Sequence, residues 1–330
     1  MMRLHPTSAP CEPRRPRRRD RLLIAALVLA VLAGLAGLAS GTGWAEIGAQ
    51  IGAVRPWQLC TLLGLSLANY LARALRWHLL ARRLGLPTDL AQDARHYLGG
   101  FAMAVTPGRV GELVRMRWLR RETGWSVTRT APLALMDRAG DLAAMGLLLA
   151  LAVALAAGGI AGALPVTGLA LAAAVIATRP ALLAALVTLA FRALGRFPRA
   201  FARARAAARS LSRFSHGPTL TLALALGLAG WGAEAFSFHL LLGWMGADVG
   251  LWKAVAIFVF ATLAGGLTGA PGGLGGAEAA MVALLTLEGV PLAVSVPATA
   301  LIRLTTLWFA IAIGLAAFPI AERASLKAQG

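Results

Sequence analysis

The sequence predicts an all-α polytopic membrane protein, with about six full transmembrane helices and two re-entrant half-helix pairs related as an inverted repeat. Three observations predict it. Of 330 residues, 58% are hydrophobic and only 14% charged, with a mean hydropathy of +0.71, far from what a soluble domain of this length can keep in solution. The basic residues fall in short blocks between apolar stretches, at 14–21, 73–83, 115–129 and 192–213, as the positive-inside rule distributes them on cytoplasmic loops. Two Pro-Gly breaks, each followed by a glutamate, interrupt apolar runs in the same order in the two halves of the chain.

That charge pattern also excludes one reading of the net charge of +18. A nucleic-acid protein clusters Lys and Arg on one face to neutralise phosphates; here the blocks alternate with membrane-length runs, so no nucleic acid is expected. Such blocks attract anionic lipid instead, at about 1 kcal/mol per basic residue near the surface. Cys11 and Cys60 sit in different environments, without disulfide or metal-ligand spacing. No phosphate loop ending in Lys-Ser/Thr, no H-E-x-x-H and no Cys-x-x-Cys occurs, so no cofactor, metal or ATP site is expected.

The elements follow in order. Residues 1–20, rich in Pro and Arg, read as a disordered basic cytoplasmic tail. The apolar run 22–40 is long for a signal-peptide core and reads as an uncleaved anchor going out. Span 57–80 returns to Arg82 and Arg83. The stretch 97–106 is too short to cross, ends at Pro107 and Gly108, and is followed by a helical run from Val110 to Arg115, Arg117, Arg120 and Arg121. Both flanks look cytoplasmic, which a re-entrant pair satisfies, since irregular backbone at depth is tolerated when buried in protein or lining a cavity. Spans 131–156 (out), 160–191 (back, interrupted at Pro180) and 218–245 (out) come next, with an interfacial helix at 192–213. The run 251–267 stops at a second break, Pro271 to Gly273, before a short helix 277–287. A last span, 292–318, leads to a cytoplasmic tail at 321–330, provided the second break is re-entrant from outside. The membrane domain is thus 21–320.

The halves match each other. Residues 74–85 align with 235–246 with five identities, including His78 with His239 and Gly85 with Gly246; Pro107-Gly-Arg-Val-Gly-Glu112 aligns with Pro271-Gly-Gly-Leu-Gly-Gly-Ala-Glu278; Pro132 and Arg138 align with Pro297 and Arg303. The Pro, His and Arg offsets run only from 161 to 165. With span 57–80 inward and 218–245 outward, the units 57–157 and 217–319 are inverted, and inverted repeats with broken helices place substrate near the midplane in many transporters.

Ionisable residues inside a membrane mark function or an internal pair. Glu112 and Glu278 each lie one turn past a break, placed either to cap a half-helix N-terminus or to face a shared cavity as proton acceptors or ligands of a cationic headgroup. The glycine turns (Gly108, Gly111, Gly272, Gly273, Gly275) free backbone N–H groups in a way that suits phosphate, and Arg109, Arg115, Arg76 and Arg303 are placed to hold a phosphodiester through bidentate bonds. Asp137, Arg138 and Asp141 cluster at the start of one span, with the aspartates four apart on one helix face; the plainer reading is a salt bridge from Arg138 to either aspartate. Glu234 and His239 are further candidates, and His78 reads as an interhelical hydrogen bond.

At these motifs the chain resembles the lysylphosphatidylglycerol synthase transmembrane-region family, the flippase-like domain family. The resemblance is carried by Arg76-Trp77, Pro107-Gly-Arg-Val-Gly-Glu112-Leu-Val-Arg115, Asp137-Arg138 with Asp141, Pro271-Gly-Gly-Leu-Gly with Glu278, and Arg303, over about residues 20 to 320. It departs from the pattern at Gly275-Gly276-Ala277-Glu278, where the family often has one or two residues between Gly-Leu-Gly and Glu. Membership implies a domain that moves or handles membrane lipids: anionic or aminoacylated phospholipid, polyprenyl or hopanoid lipid. The family's soluble synthase half has no room here, so a non-enzyme is expected, as a homo-oligomer or beside a lipid-synthesis enzyme. Rival expectations are an intramembrane transferase using Asp137 and Asp141, and a scaffold for envelope-lipid synthesis.

Overall fold

Residues 54–104, 110–156, 179–194, 214, 216–268 and 270–328 are described by the computed structural model, with scattered positions between 49 and 52 and between 165 and 175. The expected tail 1–20, the span 22–40, the turn Pro107–Arg109 and most of 157–178 and 195–213 lie outside the described residues.

Among the described residues every regular element is helical. Helix α1 (Pro56–Leu84) begins with proline at the position where a missing N–H costs nothing. It ends at Gly85 (φ 84°), with the Leu86 N–H donating back to the Ala81 carbonyl. Helix α2 (Leu90–Gly99), capped by the Asp89 carboxylate on the Gln92 N–H at 2.7 Å, runs into a 3₁₀ turn (Gly100–Met103). Then come α3 (Val110–Thr123), α4 (Val127–Leu155) and α5 (Pro180–Leu194). In the second half α6 (Gly217–Trp244), α7 (Leu251–Leu267), a 3₁₀ turn (Pro271–Gly273), α8 (Gly276–Leu287) and α9 (Leu292–Arg303) follow; α9 continues through a π segment (Leu304–Trp308) into α10 (Phe309–Lys327).

The halves share this order down to their glycines. Beyond α6, Gly246 (φ 77°) repeats the cap at Gly85, with the Ala247 N–H on the Leu242 carbonyl. Gly124 (φ 73°) ends α3 and Gly289 (φ 84°) ends α8, 165 residues apart. Proline sits inside α4 at 132 and inside α9 at 297. The close approaches correspond too: a Cβ on Gly111 would lie 2.4 Å from the Gly100 carbonyl oxygen, and one on Gly265 would lie 2.9 Å from the Ala277 backbone nitrogen.

Among the described residues three helical stretches are long and apolar enough to cross a membrane: Val127–Leu155, Gly217–Trp244 and Leu292–Lys327. Helix α1 has 29 residues but too polar a face, because Gln58, Ser66, Asn69, Arg73 and Arg76 turn inward and are buried. Its Leu71 and Leu75, with Leu151 on α4 and Leu315 on α10, are exposed. Polar inside and apolar outside is the pattern lipid selects. Helices α2 and α8, of 10 and 12 residues, rise only about 15 and 18 Å, short of a roughly 30 Å hydrocarbon core.

Helices α1 and α6 make the most extensive helix–helix contact, α2 packs on α10 and α7 packs on α4. The first short helix of each half therefore rests on the last long helix of the other. Residues 321–327, expected as a tail, continue α10: Ala321 and Ser325 are fully buried, and Glu322 accepts from the Trp118 indole N–H at 2.7 Å and Arg121 at 2.7 Å, and also pairs with Arg117.

Candidate functional site

Arg73 and Arg76 are three apart on α1 and Asp137 and Asp141 four apart on α4, so each pair lies on one helix face. The faces meet. Arg76, with no exposed surface, donates from Nη2 to Asp137 Oδ1 at 2.7 Å and to Asp141 Oδ1 at 2.6 Å, and from Nε to Asp137 Oδ1 at 3.0 Å. Arg73 Nη2 donates to Asp141 Oδ2 at 2.7 Å, and the Trp231 indole N–H of α6 reaches Asp141 Oδ1 at 3.1 Å. Burying isolated charges costs several kcal/mol per ion, which only such multiple hydrogen bonding offsets. Glycines make the room: a Cβ on Gly227 would lie 3.1 Å from Arg76 Nη1 and 2.9 Å from Ala144 Cβ.

Each half then has one Glu–Arg pair joining the short helix after its break to the long helix that follows. Glu112 on α3 pairs with Arg138 on α4. Glu278 on α8 accepts from Arg303 Nε on α9 at 2.6 Å, and Arg303 Nη2 also donates to the Gly272 carbonyl at 2.8 Å, locking the second break. The pairs differ in setting. Side-chain exposure is 21% and 35% for Glu112 and Arg138, against 8% and 11% for Glu278 and Arg303. Arg138 Nη1 also lies 3.6 Å from Asp141 Oδ2, so the first pair adjoins the α1–α4 cluster.

The sequence model of a family described as the lysylphosphatidylglycerol synthase TM region matches residues 21–314. The chain belongs to this family. It is also 35% identical over 89 residues to a UPF0104 membrane protein of Methanothermobacter thermautotrophicus, a stretch covering 27% of this chain and 26% of that relative. The match thus spans about a quarter of the relative's length.

Onto this lysylphosphatidylglycerol synthase TM region the expected site residues map unevenly. Arg76, Asp137, Arg138, Asp141 and Glu112 come together on α1, α3 and α4; Glu278, Arg303 and Gly272 form the second group, with Gly273 packed against Gly265 and Gly275 as the residue preceding α8. Pro107, Gly108 and Arg109 lie outside the described residues, as does the side chain of Pro271. Gly111 faces Gly100. Arg115 is buried on α3 with its guanidinium 4.0 Å from the Tyr97 ring centroid, and its Nε and Nη1 have no hydrogen-bond partner among the described residues.

Three expectations change. The capping role for Glu278 gives way to the pair with Arg303, because a guanidinium on the next helix is a stronger partner than a backbone N–H. The salt bridge expected from Arg138 to the aspartates goes mainly to Arg76 and Arg73, which face them directly. Arg73, read as part of a cytoplasmic basic block, is buried and also lies 5.0 Å from the Trp231 ring centroid.

His78 does bridge helices, its Nδ1 lying 2.7 Å from Asp93 Oδ2, and His239 Nδ1 lies 3.1 Å from the Val249 carbonyl in the matching place. Glu234 is buried on α6 with no ion pair among the described residues. At the end of α3, Glu122 lies within 3.3 Å of His96 and Arg95. Burial raises the Glu122 carboxyl, but hydrogen bonds from His96 and Gln92 and the charges of His96 and Arg95 outweigh it and hold the group below the usual carboxylate range.

Proposed function

We propose that this protein translocates a phosphate-bearing lipid, such as a phospholipid, between the leaflets of the inner membrane. In this reading the chain makes six crossings, has both termini in the cytoplasm, and carries its two broken-helix units as an inverted repeat. The observation that carries the reading is the pair of like-built half-sites, Glu112–Arg138 and Glu278–Arg303, each closing a short helix onto a long one. A lipid phosphate is an anion that competes with the glutamate for the same guanidinium, bidentately. Exchanging one anionic partner for another keeps the arginine paired while it releases the short helix that the glutamate held. Arg115, buried without a carboxylate in hydrogen-bond reach among the described residues, adds positive potential near the first half-site. Arg76 completes it; Arg109 is the remaining candidate from the sequence.

Asp141 has both oxygens held by arginines and Trp231, which supports a structural role for Asp141 over its use as a transferase base.

The test is leaflet exchange of labelled phosphatidylglycerol in proteoliposomes, against protein-free vesicles. Exchange above the protein-free rate is expected; the protein-free rate for phosphatidylglycerol, aminoacyl-phosphatidylglycerol and a polyprenyl phosphate alike would reject the reading. The inversion has its own check. Single cysteines replacing Gly124 and Gly289 should label from opposite sides of the membrane, and labelling from the same side would remove the inverted repeat.

A further inference from the structure

A partly open cavity of about 430 Å³ lies among α1, α4, α6 and the residue preceding α5. Its size falls in the roughly 300–1,000 Å³ range of small-molecule sites. Most of its wall is apolar, with Leu80 from α1, Met136 from α4, and Leu220 and Leu224 one turn apart on α6. Two arginines interrupt that wall, Arg76 and Arg179. Arg76 is wholly buried, and although its other nitrogens are committed to Asp137 and Asp141, Nη1 has no hydrogen-bond partner among the described residues. Arg179 is exposed and forms no ion pair among the described residues. A buried N–H without an acceptor leaves its desolvation uncompensated, a cost an anionic ligand in the cavity would remove.

Position narrows the ligand. Leu80 lies one turn from the end of α1 at Arg82 and Arg83, Leu220 lies in the first turn of α6, and Met136 lies in the first half of α4. The cavity is therefore at one end of the helix bundle, beside a basic rim. An apolar wall with two guanidiniums fits an amphiphile better than a free ion. We infer that this cavity is a seat for an anionic glycerophospholipid, its phosphate on Arg76 Nη1 and Arg179 and an acyl chain along Leu220 and Leu224. As an intake site from the cytoplasmic leaflet it rests on the translocator reading; as a binding site it does not.

The test uses the purified full-length protein in detergent, mixed with phosphatidylglycerol or phosphatidylcholine, with retained lipid counted by native mass spectrometry. Wild type should retain phosphatidylglycerol in preference to phosphatidylcholine. Arg179→Gln should lower that retention about tenfold, the order of a lost charge-assisted hydrogen bond, and Ala223→Trp, which fills the cavity, should lower it as much. Should the tryptophan variant fail to fold, Arg179→Gln decides, since Arg179 lies outside the ion-pair cluster. Equal retention of the two lipids, or unchanged phosphatidylglycerol retention in Arg179→Gln, overturns the seat. Millimolar inorganic phosphate should leave retention unchanged; displacement by phosphate alone would overturn the assignment to lipid. Retention by a wild type that exchanges none of phosphatidylglycerol, aminoacyl-phosphatidylglycerol and polyprenyl phosphate above the protein-free rate supports the seat and refutes translocation. Leaflet exchange by Arg179→Gln with its phosphatidylglycerol retention intact refutes the seat and leaves translocation standing.

Discussion

Asp141→Asn tests the buried cluster most sharply. Asp141 accepts from Arg73 at 2.7 Å, Arg76 at 2.6 Å and Trp231 at 3.1 Å. Asparagine keeps the shape but removes the charge and turns an NH₂ toward a guanidinium. Arg76 retains Asp137, whereas Arg73, 8% exposed, has no other carboxylate within salt-bridge distance among the described residues. Breaking a buried pair by removing one partner costs about 3–5 kcal/mol. At about 2 °C per kcal/mol for a chain of this size, Tm should fall by roughly 6–10 °C, read by fluorescence-detected thermal unfolding in detergent. Adding Arg73→Met, which removes the stranded charge, should recover a large part of the loss. A transferase using Asp141 predicts instead a stable protein that has lost its product, so an unchanged Tm in Asp141→Asn would refute the closed-cluster account.

Three further outcomes follow from single contacts. Glu322→Ala strands the buried Trp118 indole N–H and frees Arg117 and Arg121, and should cost about 1–3 kcal/mol, seen as a Tm drop that Glu322→Gln only partly reproduces. Gly111→Ala drives a Cβ to 2.4 Å from the Gly100 carbonyl oxygen and should lose about 1–3 kcal/mol through overpacking, whereas Gly64→Ala, which meets nothing within 4 Å in the middle of α1, should hold or raise Tm by the helix preference for alanine. Arg115→Met removes a buried charge stacked on Tyr97 and should leave Tm unchanged or higher while lipid exchange falls; a large loss of Tm would make Arg115 a structural residue.

How much was legible in the sequence depended on which signals are local. Pro271-Gly-Gly reads as a break because proline and paired glycines punctuate an apolar run, and φ of 65° and 68° at Gly272 and Gly273 falls in the left-handed region that favours glycine; the matching Pro132 and Pro297 are likewise features of the chain itself. That Glu278 and Arg303 belong together was visible only as two costly ions 25 residues apart, and their contact depends on how α8 folds back on α9. Partner choice was not local. Arg73 sits near Arg82 and Arg83 in sequence and was grouped with them, yet three residues N-terminal to Arg76 it shares the inward face of α1. The spacing of Asp137 and Asp141 was the clue to a complementary arginine pair on another helix. The Trp118–Glu322 tie spans 204 residues and follows from the end of α10 packing on α3, which no pattern along the chain announces.

The central claim is that the two Glu–Arg half-sites act together in moving lipid. The measurement that meets it most directly is leaflet exchange of labelled phosphatidylglycerol in proteoliposomes by wild type, Glu112→Gln, Glu278→Gln and the double variant, all at matched Tm and reconstituted amount. The account predicts exchange by wild type and loss in the double variant at least as great as in either single variant; undiminished exchange in the double variant would contradict it.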